Sequence, residues 1–524
     1  MGRTPCVSVH SLMGRTSRIR RGRVARRKTL ERAKRSATYT ARISNSHYYV
    51  LPAPRFRVKQ IWTGSRRLDS CEPRYEVSQP VSEVKMHEKV MARLWVFGLF
   101  CAIAADVTSG ALRYYTAMFG VPQLTYLPKA LMLIWVVLRI ADRPKPIHLW
   151  IGAFLAVDGC IALANGVDLD AVMFWMWVML PMFFALLAPP EGLELLESRA
   201  ACIGWLVLAV VAIAGVLINY YVDMPWLGES VDVGAYKVTV AADLTTGDVK
   251  RLAGLGRSGA GTGLLIGLLT IWLVPRSRSR LFNLLLPAFA FVAIWGTTNK
   301  TMVVALLVAA VVHACGSTRT VKRACLWTSL LAFLLPAASF LVASALNNFV
   351  IGTGAISSFQ DRVGATWPNL VGGLMQHGLI WLGTGAGGFG TTARYYPANF
   401  GFDVSVADNM ALYAVAAFGL FGAAILTLLM LRYVLLGGSG SKAQWCMLLV
   451  LLLAGLTTDI FESPPCLLFF GVLIRYLANG STVRLPSRSS TGWGGRSAAV
   501  RGNRNAAGMD VYESQDRLWS GRRP

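Results

Sequence analysis

The chain has 524 residues, 54% of them hydrophobic and 15% charged, and its mean hydropathy is +0.48. Too few polar side chains exist to cover a soluble globule of that size, so a soluble α/β enzyme is excluded and a polytopic membrane protein is expected. The formal charge of +25 sits mostly at the ends, net +15 over residues 1–90 and net +6 over residues 473–524.

A basic tail suits nucleic acid or anionic lipid; beside a membrane domain it reads as a flank drawn to lipid, with no nucleic-acid partner expected. Residues 1–90 form the first region. Runs such as RIRRGRVARRK, with almost no apolar periodicity, predict disorder over 1–70. In MHEKVMARLWVFGLF, Met86 and Met91 offer alternative starts ahead of the first apolar run, and no small-residue cleavage site follows. Residues 91–479 are the membrane domain and 480–524 a basic tail.

Within that domain, apolar stretches long enough to span about 30 Å of hydrocarbon occur at 93–111, 123–140, 147–165, 169–189, 200–221, 258–275, 280–297, 300–316, 324–346, 410–433, 443–458 and 464–479. The expected fold is therefore an all-α polytopic integral membrane protein of about twelve transmembrane helices. With both termini cytoplasmic, the inner loops carry Arg139, Arg143 and Lys145, then Arg276, Arg278 and Arg280, then Arg319, Lys322 and Arg323, then Arg432 and Lys442. This is the positive-inside bias, and only the acidic inner loop APPEGLELLESRA stands against it.

That orientation leaves two long outer loops, 222–257 and 347–409. The second contains WLGTGAGGFG, whose Gly383-x-Gly385-x-x-Gly388 spacing imitates a dinucleotide fingerprint, with Asp408 twenty residues on. No strand, parallel sheet or cytoplasmic cofactor supply accompanies it, so no cofactor is expected. The nine cysteines include no C-x-x-C, and of six histidines only His377 falls in an outer loop, so no metal site is expected. No G-x-x-x-x-G-K-[ST] motif is present, which excludes ATP-driven transport by this chain alone.

FQDRVGATW, WLGTGAGGFG and ADNMALYAVAAFGLFGAAI together resemble the C-terminal half of the O-antigen polymerase and ligase family over residues 355–430. The shared order is an Arg (Arg362), a Trp (Trp367), a glycine loop (Gly383, Gly385, Gly387, with Phe389 displaced by one), an Asp-Asn pair (Asp408, Asn409) and Gly-Leu-Phe-Gly at 419–422. Upstream, RSGAGTG with Arg257 resembles the family's Arg/Gly segment, and TTNKT puts Lys300 where many members have Arg. The resemblance implies a metal-independent glycosyltransferase of the bacterial inner membrane. Such an enzyme moves a glycan from an undecaprenyl-diphosphate carrier at the periplasmic face, assisted by a flippase and a chain-length regulator. Ligases of the family tend to have His where Asp408 stands, which tilts the reading to polymerase, with ligation onto lipid A core as the alternative. From another class, a flippase or secondary transporter also has about twelve spans, but two comparable halves and midplane charges are missing here; a non-catalytic assembly scaffold is the third possibility.

The chemistry of the residues agrees with that implication. Planar arginine forks suit a diphosphate, which makes Arg362 the first candidate; the bland alternative pairs it with Asp361 or lipid. Asp408 is the candidate base for an acceptor hydroxyl, against the simpler role of capping the helix that begins at Met410 with help from Asn409. Arg257 and Lys300 are candidate anion contacts at span mouths, or lysine and arginine snorkelling to the interface. Trp367, Gly383, Gly385, Gly387 and Asn409 are candidate substrate contacts, the glycines by turning N–H groups to a phosphate or sugar. Asp459 and Glu462 in DIFESPP are candidate partners for sugar hydroxyls. Asp106 and Asp158 lie within spans and are given no role.

Overall fold

A computed structural model of the chain describes residues 81–478 apart from 234–235, 243–244, 247–248, 347–356 and 437–439. The segment expected to be disordered, the tail 480–524 and the start of the second long loop lie outside the described residues.

The described chain is overwhelmingly helical, and the expected apolar stretches fall on helices, the first of them, 93–111, broken at Thr108 into two. In order these are α1 (Val81–Val107), α2 (Ser109–Met118), α3 (Leu127–Asp142), α4 (Pro146–Ala164), α5 (Leu169–Leu186), α6 (Pro190–Leu196), α7 (Arg199–Tyr221), α8 (Gly259–Leu273), α9 (Arg280–Gly296), α10 (Lys300–Cys315) and α11 (Thr318–Leu346). Then follow α12 (Ser357–Asp361), α13 (Trp367–Gln376), α14 (Thr391–Tyr395), α15 (Met410–Leu436), α16 (Lys442–Ala454) and α17 (Pro464–Ala478). Among the described residues, seven segments are long and apolar enough to cross a membrane: 86–107, 122–142, 169–186, 199–221, 259–276, 318–342 and 410–432. The remaining five, α4, α9, α10, α16 and α17, are shorter apolar helices. The chain is an all-α membrane-embedded protein.

Local signals explain where the helices begin. Ser198 accepts from Ala201 N at 3.2 Å, Ser258 from Gly261 N at 3.2 Å and Asn299 from Met302 N at 3.0 Å, starting α7, α8 and α10. Ser441 and Gln444 form a reciprocal box that starts α16. Helix α8 lies at the centre, in contact with α7, α9, α10, α16 and α17. Its own Trp272 and the neighbouring Trp205 and Trp445 are fully buried. Many large apolar side chains face outward, among them Leu149, Trp150, Phe97 and Trp327, as expected where the solvent is lipid rather than water.

The acidic stretch 188–200, expected to face inward, has a structural answer. It forms α6, and Glu197 beyond it receives Arg276 Nε at 2.7 Å and Arg276 Nη2 as a two-pronged pair, with the Tyr476 hydroxyl at 3.2 Å. Arg276, one of the basic residues of the expected pattern, is thus neutralised by the stretch that broke it.

The first long loop carries the only strands among the described residues: two antiparallel hairpins, β1 (Ser230–Val233) with β2 (Tyr236–Thr239), and β3 (Thr245–Thr246) with β4 (Val249–Lys250). It is tied down through Leu255, whose carbonyl accepts from Gly110 N at 3.0 Å and Ala111 N at 3.2 Å of α2.

Helix α15 is interrupted at Gly419, where φ is +67° and ψ 178°. Above the break the carbonyls of Ala416 and Ala417 accept from Thr384 N at 2.8 Å and Gly385 N at 3.0 Å. Below it Leu420 N donates to Ile380 O at 2.9 Å and Phe421 N to Trp381 O at 3.3 Å. The glycine-rich loop therefore satisfies the groups that the helix frees.

Candidate functional site

Arg362 opens a π-helical turn, Arg362–Thr366, inserted between α12 and α13. Such turns re-aim one side chain and are frequent at functional sites. Arg362 Nε donates to Asp408 Oδ2 at 2.9 Å and Nη1 donates to Ser358 Oγ at 2.9 Å, one turn back. The two motif segments, 46 residues apart in sequence, thus meet as an ion pair whose side chains are 21% and 33% exposed. The carboxylate it pairs with is Asp408 and not Asp361, the protein partner of the bland alternative.

Asp408 has a φ of +49°, one of two non-glycine residues in the left-handed region among the described residues. That conformation costs energy outside glycine, although Asp tolerates it better than most. The neighbours hold it. Asp459 Oδ2 accepts from Ala407 N and Oδ1 from Asn409 N, both at 3.2 Å, so one carboxylate clamps the peptides on either side of Asp408. Trp367, completely buried, donates its ring N–H to the Ala407 carbonyl at 2.9 Å. The turn leaves the Asp408 carboxylate at the surface, facing Arg362.

The helix cap is Asn409, not Asp408. Asn409 Oδ1 accepts from Ala411 N and Leu412 N at 2.9 Å each, while Nδ2 donates to Leu456 O at 3.0 Å, and the side chain is wholly buried. Asp408 carries none of the capping load, because the left-handed turn swings its side chain away from the helix axis. Asn409 is correspondingly inaccessible to a substrate.

Glu462 Oε2 accepts the Thr391 hydroxyl at 2.7 Å and Oε1 accepts Thr391 N, holding the start of α14. Burial raises the pKa of Glu462 above the usual carboxylate value. Asp459 is pushed up to about 7, first by burial and then by the negative charges of Glu462 and Asp408. Asp403, in contrast, is held low by hydrogen bonds from Ser405.

The glycines serve packing. Residues 383–390 are all buried. Gly383, Gly385 and Gly387 have φ of +77°, +81° and +85°, and a Cβ there would lie 2.4 Å from Ala417 O, 2.4 Å from Ala162 N and 2.5 Å from Ala171 O. The loop is wedged between α15, the end of α4 and the start of α5, with Gly383 N donating to Leu379 O at 2.7 Å. With the loop covered along its length, these glycines present no cradle to a phosphate.

Arg257 and Lys300 stand on other elements. Arg257 is exposed at the end of the first long loop, and its carbonyl accepts from Ala242 N at 3.0 Å; Lys300 is exposed as the first residue of α10. Arg257 has a neighbour that the sequence reading missed: Arg113 on α2, whose pKa is lowered by burial and then by the charge of Arg257. The signal was available, since with the N-terminus expected inside, an arginine just past the first span runs against the positive-inside rule. Arg394, on α14 close enough to act on Glu462 and Asp403, was missed for want of a motif around it. Asp158, of which the sequence reading made nothing, faces the interior at 4% exposure, and its carbonyl lies 3.4 Å from Ala386 N.

Among the described residues no group of three or more His, Cys, Asp or Glu side chains is arranged to hold a metal ion. Chemically the site offers a surface carboxylate able to take a proton and a guanidinium whose Nη2 is left over for an anion. Comparison with known proteins gives no match: no family model, no curated protein and no solved structure is similar to the chain.

Proposed function

We propose that the chain is a polysaccharide polymerase of the bacterial inner membrane, working on glycans carried by undecaprenyl diphosphate at the periplasmic face. The observation that carries this reading is the Arg362–Asp408 pair, 2.9 Å apart on a buried, over-determined turn. In the resting protein each group neutralises the other. An arriving diphosphate displaces the carboxylate from Arg362, which takes the phosphate charge bidentately and releases Asp408. The acceptor hydroxyl then attacks the anomeric carbon, its proton passes to Asp408, and the anomeric C–O bond breaks with the electron pair leaving on the diphosphate. Asp459, Trp367 and Asn409 hold the turn and are positioning residues.

In this reading the five shorter helices complete twelve crossings, both termini are cytoplasmic, and residues 222–257 and 347–409 face the periplasm. A flippase supplies the substrate and a chain-length regulator acts on the product. No metal takes part.

The test is surface-glycan electrophoresis in a deletion strain carrying variants. Loss of the chain leaves single repeats without a ladder; a full carrier-linked ladder missing only from lipid A would mean a ligase instead. Arg362→Ala abolishes polymer at normal protein level, and Arg362→Lys recovers little, because an ammonium cannot grip both oxygens. Asp408→Asn keeps the left-handed turn and an acceptor for Arg362 but takes no proton, so activity falls about 10²-fold. A fully active Asn variant would sink the mechanism.

A further inference from the structure

At the end of the bundle opposite the Arg362–Asp408 pair, an open cleft of about 450 Å³ lies between the start of α11 and the end of α15. Arg319, Lys322, Arg323 and Leu326 line it from α11, and Val434 and Leu435 from α15. Arg319, Lys322, Arg323 and Leu326 follow the i, i+3, i+4, i+7 spacing, so three cations and then an apolar residue share one face of α11. Lys322 is braced, with its ammonium 4.7 Å from the centre of the Trp445 ring. Arg319 and Arg323 are exposed and make no salt bridge among the described residues.

The sequence supplies no local counter-charge. No Asp or Glu occurs between Asp248 and Asp361, or between Asp408 and Asp459, so α8 to α11, α15 and α16 contain no acid at all. Three like charges crowded on one helix face repel one another unless an anion joins them. The cleft opens sideways: Leu435 is 62% exposed, and Trp327, one residue beyond Leu326, is 67% exposed. A tryptophan and an apolar wall directly below a cationic rim mark the level where headgroup gives way to acyl chain.

We propose that this cleft binds an anionic phospholipid, its phosphodiester held by Arg319, Lys322 and Arg323 and one acyl chain lying along Leu326, Val434 and Leu435. The ligand chemistry is a phosphate bearing a hydrocarbon tail. The site is independent of what the chain transfers at its other end.

Native mass spectrometry of the full chain in detergent, with phosphatidylglycerol, phosphatidylcholine or inorganic phosphate added, tests the assignment. The wild type retains phosphatidylglycerol and sheds phosphatidylcholine. Arg319→Gln with Arg323→Gln weakens retention about tenfold or more, since each cation near an anionic headgroup contributes on the order of a fivefold gain. Arg319→Lys with Arg323→Lys retains the lipid. Leu435→Trp fills the apolar half without altering charge and also weakens retention, whereas Arg278→Gln with Arg280→Gln, outside the cleft, leaves it unchanged. Equal retention by the Gln pair, equal retention of the two lipids, or an unchanged Leu435→Trp variant overturns the proposal. Displacement of the lipid by an equal concentration of inorganic phosphate also overturns it, assigning the cations to free phosphate.

Discussion

Arg362 and Asp408 were both visible in the sequence as motif residues, but their meeting was not. It depends on a π turn that re-aims Arg362 and on a left-handed Asp408 clamped from beneath by Asp459, and neither leaves a pattern in spacing. The exchange of roles between Asp408 and Asn409 was equally illegible, because Asp and Asn cap helices about equally well and only the backbone decides which one faces the free N–H groups. Asp459 titrates in a useful range. Its folded pKa, about 7, lies above the ordinary value of 3.8, so its contribution to stability is fully present below about pH 4 and is lost as pH rises through 7. The melting temperature of purified wild type should therefore exceed that of Asp459→Asn by more at pH 5 than at pH 8. A difference that grows with pH would show that Asp459 is held ionised in the fold.

At the level of elements, apolar length and charge located every long helix. Glycine content misled where it met tertiary packing. A run of glycines reads as freedom, yet Gly383, Gly385 and Gly387 are the points where a buried loop touches three helices, and the residues they touch, Ala417, Ala162 and Ala171, are far away in sequence. Alanine at Gly385 must adopt a left-handed backbone and displace Ala162, at a cost of about 2 to 5 kcal/mol. Gly364 in the π turn has nothing within 4 Å of its would-be Cβ and no positive φ. Alanine there should change stability by less than about 0.5 kcal/mol. Thermal melting of the two variants monitored by size exclusion separates these outcomes: early aggregation for Gly385→Ala and a wild-type profile for Gly364→Ala. Similar melting of both would mean that the loop is less tightly held than its hydrogen bonds imply.

For the molecule as a whole, the distribution of basic residues is the basis for an expected sidedness. Cysteines introduced at the exposed Glu229 and Pro397, on a cysteine-free background, should react with a membrane-impermeant thiol reagent in intact spheroplasts, while one at the exposed Arg278 should not. Labelling at 278 alone would turn the protein over and place the Arg362–Asp408 pair in the cytoplasm. The break at Gly419 bears on how such a chain is made. A helix that reaches hydrocarbon with carbonyls and N–H groups unpaired in its middle pays several kcal/mol for each, so α15 cannot partition from the translocon into lipid as an independent rod. Its missing partners lie in residues 380–385, which leave the ribosome first and are already waiting when α15 emerges. The loop therefore has to dock on α15 for the broken helix to be satisfied, and the order of synthesis is part of the assembly instruction.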